Sequence, residues 1–218
     1  MSYNKNQIKN ELLSNGWCVI NAKLNDSELI NFSEKFGRII PDNNGKIIQY
    51  LKPKPNQNGI RDSFSYNFGY LSFPFHTDTS FWSIPARYII MTSENQSNCT
   101  TNLFDFNQIL QGCTYNELLD LKKSVFVQKT FSEQKFTNLI FQENEILGIR
   151  FDPNIMFPYN EYSKKTLDLI NSSIQKLKTF QIEWTGNNIV IIDNWRFLHS
   201  RGDSTKDKNR ILKRIYLS

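Results

Sequence analysis

Histidine is nearly missing from this chain: among 218 residues there are two, His76 and His199. Cysteine is scarce as well. Cys18, Cys99 and Cys113 are odd in number and have no Cys-x-x-Cys spacing. That pattern excludes a disulfide framework and a zinc knuckle, and it reads as reduced thiols in a cytoplasmic protein. No run approaches the roughly 20 apolar residues of a membrane span. The opening stretch MSYNKNQIKNELL has no apolar segment of the secretory kind, so no membrane role is expected. A long basic run is also lacking. The formal charge is +5, but lysines such as Lys122, Lys123, Lys164, Lys165, Lys206 and Lys208 are scattered. Binding to nucleic acid calls for clustered cations interleaved with exposed aromatics, and no nucleic-acid partner is expected.

What the chain does have is aromatic and aliphatic bulk. At 39% hydrophobic and 14% aromatic, it is too apolar to stay disordered. Its length suits one sizeable core, and residues 1–218 show no repeat or composition break, so a single domain is expected. Apolar spacing predicts helices over 4–14, roughly 27–36 (capped by Asp26 or Ser27), 115–124 and 160–178. The last has Leu167, Ile170, Ile174 and Leu177 on one stripe. Residues 41–70 have no clear period and read as an irregular, partly stranded excursion. Strand-like text fills much of the rest: 17–22, 87–93, 102–106, 124–131, 139–142, 146–152, 181–184, 188–193 and 210–217. Many short strands with two early helices and an inserted one make a mainly β fold with helical decoration, a β-sandwich or jelly roll.

Both histidines stand at the edges of strand-like text. In PFHTDTSFW (74–82), His76 and Asp78 are two residues apart, and alternate residues of an extended chain face one side. Together with one distant histidine they would make a two-His, one-carboxylate facial set with open coordination positions. Such a set suits non-haem Fe(II) oxygenase chemistry. The competing reading is a histidine held by hydrogen bonds for structural reasons. Beyond His199, the text RILKRIYL (210–217) alternates, so Arg210 and Arg214 share a face. A guanidinium offers a planar fork for a carboxylate; the plainer reading is a strand with solvated charges.

Taken in order, these pieces resemble the Fe(II)/2-oxoglutarate-dependent dioxygenases, in the branch of taurine dioxygenase and clavaminate synthase. The resemblance runs over nearly the whole chain: NGWCVI and EKFGRI, then FHTDTSFW, NCTTNLFD (98–105), GNNIVIIDNWRFLHSR (186–201) and NRILKRIYL. It implies a double-stranded β-helix (jelly roll, cupin-like). His76, Asp78 and His199 would hold Fe(II), and Arg210, helped by a hydroxyl of Thr101, would bind the far carboxylate of 2-oxoglutarate. Where relatives often carry Gly-Gly before that threonine, this chain has Ser97-Asn98-Cys99-Thr100, which leaves Thr100 as an alternative. The implied activity uses O2 to hydroxylate an unactivated C–H bond, with 2-oxoglutarate converted to succinate and CO2. A carboxylate at Asp78, where halogenating relatives have a small residue, favours hydroxylation; desaturation and cyclisation stay open. Arg214 matches the arginine that holds the anionic group of taurine, so a small amino-acid-like or anionic substrate is expected, or the same chemistry on a carrier- or peptide-bound residue. Arg150, Trp82, Phe73 and Asn194 are further lining candidates. A non-catalytic metal-binding cupin-like protein is the remote alternative.

Overall fold

The computed structural model describes residues 4–42, 44–58, 61 and 63–218. Met1–Tyr3 of the opening stretch and residues 43, 59, 60 and 62 of the irregular excursion lie outside the described residues.

The most apolar strand sits at the centre. β12 (Asn188–Asp193) is buried at every position, which is why its sequence reads as an unbroken apolar run rather than an alternation. It pairs antiparallel with β1 (Trp17–Asn21) on one side and β4 (Tyr88–Ser93) on the other. β14 (Leu212–Leu217) follows β4, and the short strands β2 (Ile39–Ile40) and β3 (Gln49–Leu51) both pair with β14. Ile189 and Ile191 of β12 pack outward with Ile90 and Ile215. That face is covered by α1 (Lys5–Asn15) and α2 (Asp26–Ser33), through Ile8, Leu12, Leu29 and Phe32. α1 ends at Gly16, whose φ of 76° is left-handed and whose missing Cβ makes room for the Phe197 ring. α2 begins one residue earlier than expected, because Asn25 forms the capping box with Glu28.

A second antiparallel sheet faces the first. It is made of β11 (Thr179–Thr185), β5 (Gln96–Asp105) and β13 (Phe197–Arg201), with β5 central. Between the two sheets lie Ile89, Met91, Val190, Ile192 and Leu212 from the first, and Leu103, Ile182, Trp184 and Phe197 from the second. Alternation then sends Phe104 and Leu198 to the back of the second sheet. There they meet a further layer: α4 (Asn107–Gly112), α5 (Tyr115–Lys123), α6 (Glu161–Lys176), the strands β6 (Val125–Lys129), β7 (Gln134–Asn138) and β10 (Met156–Pro158), and the hairpin β8 (Ile140–Glu143)–β9 (Ile146–Ile149). α3 (Phe64–Phe68) is a short helix within the irregular excursion. The mainly β, jelly-roll expectation holds, with six helices rather than four among the described residues.

The differences from expectation are local and have causes. β5 starts at Gln96 rather than at 102, because its first half, QSNCTT, is polar. Ser97, Cys99 and Thr101 are nevertheless its buried positions. β13 was hidden in the same way, since His199, Ser200 and Arg201 give no apolar signal. The last strand begins at Leu212, so Arg210 stands ahead of it in the lead-in rather than on it. Leu177 lies past the end of α6 and is 39% exposed, so it is not part of the buried stripe.

Candidate metal centre and anion pocket

The two histidines are brought together by backbone pairing. His76 N–H donates to the His199 carbonyl at 3.0 Å, and His199 N–H donates to the His76 carbonyl at 2.8 Å. The segment around His76 thus extends the second sheet beyond β13, and both rings point the same way, with centroids 4.4 Å apart. Asp78, two residues on, joins them. Its Oδ1 is 3.7 Å from His76 Nε2, and its Oδ2 is 3.7 Å from His199 Nε2. These gaps are too long for hydrogen bonds, and the three donor groups lie within 4.8 Å of one another. All three side chains are buried. Among the described residues this is the one such grouping of histidine, cysteine and acidic side chains.

The surroundings prepare His76 and Asp78 as ligands. His76 Nδ1 lies 2.9 Å from the Pro74 carbonyl. That contact assigns its proton to Nδ1 and leaves the Nε2 lone pair facing Asp78. Burial, then the neighbouring His199, push the His76 pKa down to about 3, so the ring is neutral. Burial alone would raise the pKa of Asp78. The Arg214 guanidinium, 2.7 Å away, followed by the two histidines, outweighs it and keeps the group ionised well below the usual carboxylate range. The backbone of Asp78 is fixed as well. Asn194, fully buried, accepts from Asp78 N–H at 2.8 Å and donates to its carbonyl at 3.0 Å. The next residue, Thr79, sits at φ 55°, an unfavourable conformation for a β-branched side chain. Its hydroxyl compensates by bonding the Asp78 carbonyl and the Ala86 N–H. Two histidines and an ionised carboxylate, with outer partners on His76 and Asp78 and with His199 Nδ1 buried and unpartnered among the described residues, fit a ferrous ion with open positions.

A second polar pocket lies along the same sheet. Arg210 is 6% exposed. Its Nη1 donates to Cys99 Sγ at 3.4 Å, while Nε and Nη2 find no hydrogen-bond partner among the described residues. Those two nitrogens form one edge of the guanidinium, the edge that meets a carboxylate with two parallel hydrogen bonds. Leaving them unpaired in a buried place is costly, which makes this edge a candidate site for an anion. Thr101 faces the same way as Cys99 on β5. Trp184 Nε1 donates to its Oγ1 at 3.1 Å, which leaves the hydroxyl proton available. Thr100 points to the other side, where Gln181 donates to it, so of the two threonines Thr101 belongs to this pocket. Thr101 pairs with Arg201, and Leu103 pairs with His199. One such step is about 6–7 Å along a strand, so Thr101 lies one step along β5 from the residue that pairs with His199.

The remaining sequence candidates fall into different roles. Arg214 is at the site, but its Nη1 is on Asp78, and its Nε and Nη2 both donate to Gln49 Oε1 at 3.1 and 2.7 Å. Arg150 donates to the carbonyls of Ser80, Trp82 and Ser83, clamping the turn that follows Asp78. The Trp82 ring packs edge-on to Tyr216 at 5.8 Å. Phe73 lies under the Arg201 guanidinium at 3.6 Å, in a cluster with Phe64, whose ring is 4.0 Å from that of His76. Asn194 serves the Asp78 backbone.

Sequence reasoning missed Gln49, Cys99, Asp152, Trp184 and Tyr216. Cys99 and Tyr216 carried a usable signal, since each is two residues from a named candidate on the same strand. The Tyr216 hydroxyl is raised well above the ordinary tyrosine range by burial, by the Asp78 charge and by a hydrogen bond to Asp78. Asp152 is buried, and burial with the Asp78 charge pushes it up to about 7, against backbone amides that favour its ionised form. Nothing in the text GIRFDP announces that.

The sequence matches no known family profile and no curated protein. Solved structures do match. An asparagine oxygenase in complex with Fe(II), 3-hydroxyasparagine and succinate superposes with a TM-score of 0.77 at 12% identity, covering 98% of this chain and 78% of that one. The non-haem iron oxygenase OrfP, in complex with Fe and alpha-ketoglutaric acid, gives 0.76 at 14%, with 98% and 78% covered. PvcB from Pseudomonas aeruginosa gives 0.73 at 16%, with 99% and 80% covered. At these identities the likeness establishes the fold: the chain has the jelly-roll architecture of the non-haem iron oxygenases.

Proposed function

We propose that this protein is an Fe(II)/2-oxoglutarate-dependent oxygenase that hydroxylates a C–H bond of a small amino-acid-like substrate, with residues 1–218 acting as one catalytic domain. The observation that carries this reading is the occurrence of two features beside the same pair of strands: the His76–Asp78–His199 cluster, with His199 on β13, and the free Nε–Nη2 edge of Arg210, held at Cys99 on the neighbouring β5. A silent metal-binding relative would have no use for that buried, unpaired edge. When bound, Fe(II) and 2-oxoglutarate supply O2 activation coupled to decarboxylation of the oxo acid to succinate. The chain's own residues do the rest. His76, Asp78 and His199 would hold the ion as three ligands. Arg210 and Thr101 take the far carboxylate of the oxo acid. Asn194, Arg214 and Thr79 fix where Asp78 points.

The substrate class follows from the charges left beside the metal. Arg214 holds the neutral amide of Gln49 on its two-nitrogen edge, and a substrate carboxylate would take that edge in exchange. Asp152, buried and close enough to feel the Asp78 charge, is suited to a substrate ammonium. A cation and a carboxylate at one site fit a zwitterion. Two of the similar structures support the same class, since they were solved with 3-hydroxyasparagine and, for OrfP, with (3S)-hydroxy-L-Arg. Trp82 and Phe73 would border the substrate space. The enzyme is expected to act in the cytoplasm.

The test is spectroscopic. Oxygen-free protein with Fe(II) and 2-oxoglutarate should show a weak visible charge-transfer band that neither component shows alone, and His76→Ala and His199→Ala should lose it. Succinate release should then rise above its uncoupled rate with one or a few free amino acids. A folded, iron-loaded protein with no band would sink the oxygenase reading. A band with no response to any free amino acid would move the substrate to a carrier- or peptide-bound residue.

A further inference from the structure

Cys99 occupies a place in the anion pocket beside the Arg210 guanidinium. Its side chain is 1% exposed and faces inward from β5, two residues before Thr101. Two contacts meet at its sulfur. Arg210 Nη1 donates to Sγ at 3.4 Å, and the thiol proton is directed at the Gly202 carbonyl, 3.3 Å away. Gly202 is the residue that follows β13, and its N–H donates to the Thr100 carbonyl at 2.9 Å. The thiol therefore joins three pieces of chain: β5, the end of the strand that presents His199, and the lead-in that carries Arg210.

The guanidinium has two edges that present paired N–H groups, Nε–Nη2 and Nη1–Nη2, and only one pointing is useful. With Nη1 held by sulfur, the two unpaired nitrogens Nε and Nη2 are the pair that remains. We propose that Cys99 is a positioning residue for the oxo-acid cosubstrate, turning the Arg210 fork so that its Nε–Nη2 edge meets the carboxylate. This inference rests on the oxygenase reading. The chemistry of sulfur suits the task. A thiol is a weak acceptor, so it steers the guanidinium without neutralising it. Burial raises the Cys99 pKa despite the nearby Arg210 and Arg201 charges, so the group stays a neutral thiol and does not compete with the incoming anion. A carboxylate in its place would pair with Arg210 and fill the pocket from within. Because Gly202 lies just past β13, the same relay ties the anchor of the cosubstrate to the strand that fixes one metal ligand.

The experiment compares wild type, Cys99→Ala and Cys99→Ser, each with intact melting behaviour, without oxygen. Affinity for 2-oxoglutarate is read from the visible band of the Fe(II) protein. Fe(II) affinity is measured separately. Loss of the hydrogen bond should weaken 2-oxoglutarate binding in Cys99→Ala by about tenfold, with Fe(II) affinity unchanged, and Cys99→Ser should recover most of the loss. A second reading needs no turnover: labelling by N-ethylmaleimide, in which the thiol adds across the double bond and its proton passes to carbon. 2-Oxoglutarate should slow labelling of Cys99 and leave Cys113 unaffected in peptide mass analysis. If Cys99→Ala binds 2-oxoglutarate as wild type does, or if the cosubstrate fails to protect Cys99, this inference is wrong while the oxygenase reading stands. If wild type itself binds no 2-oxoglutarate, both fall. Should Cys99→Ala not fold, the serine variant and the labelling rates decide.

Discussion

On the side of the central sheet that meets α1 and α2, strands β4, β12 and β14 present Ile90, Ile189, Ile191 and Ile215. On the side that meets the second sheet, the same strands present Arg214 and Tyr216 among Ile89, Met91, Val190, Ile192 and Leu212. One face is closed and apolar except where Lys213 pairs with Asp26 of α2 and with Glu94. The other mixes packing with charge, because a charged pair such as Arg214–Asp78 is tolerable in the interior only where its partners are all supplied. A change of one residue in parity would exchange the two, so β14 is both core and site by alternation alone. Stability and chemistry are thus separable by face although they share strands.

That separation can be broken deliberately. The largest contrast is between His199→Ala and Ile191→Ala. His199→Ala should reduce Fe(II) affinity by more than about 100-fold and keep a cooperative melt, since losing a direct ligand exceeds the usual cost of losing an outer partner. Ile191→Ala should cost about 3 kcal/mol of stability through the cavity it leaves, with Fe(II) affinity unchanged. Metal titration and denaturant unfolding of both variants check this, and equal loss of both properties in either variant would dissolve the distinction between faces. A smaller effect is expected at Gln49, which shares the Arg214 edge with the proposed substrate carboxylate. Gln49→Ala should lower the KM for the amino-acid substrate a few-fold; a rise in KM would make Gln49 a substrate contact instead. The smallest effect is in pH dependence. The Asp152 carboxyl is raised to about 7 in the folded protein, against about 4 when unfolded. The folded state then holds the extra proton between those values, and stability falls as pH rises through that window. Asp152→Asn, without the titration, should melt a few degrees above wild type at pH 8, with the gap closing near pH 4. A gap independent of pH would assign the effect to packing.

Much of this was legible in the sequence, and the limit has a physical form. Apolar periodicity marked β4, β12 and α1, because most of their buried positions are hydrophobic, and it marked α6 through Ile170 with the half-buried Leu167 and Ile174, although Ser163, Thr166 and Ser173 are buried there too. It failed at the first half of β5 and at β13, because there the buried positions include Ser97, Cys99, Thr101, His199 and Ser200. A strand that lines a polar site looks like a loop when read by hydrophobicity. The metal candidates were legible through the rarity of histidine and the two-residue spacing to Asp78. Gln49 and Asp152 were not, since their meaning comes from burial and from neighbours distant in the chain. Arg150 was read as a lining residue; the structure spends its donors on three backbone carbonyls.

The reciprocal backbone pair between His76 and His199 bears on how the protein would behave in the hand. Zinc fingers collapse without their ion because the ion is what gathers the ligands. Here the gathering is done by two peptide groups, each satisfying the other, at the edge of a sheet whose core is complete without any metal. A chelator should therefore strip iron and leave a folded protein that takes the ion back. The same would hold for exchange with a redox-inert substitute such as zinc, which would give a stable stand-in for trapping substrate beside an intact 2-oxoglutarate.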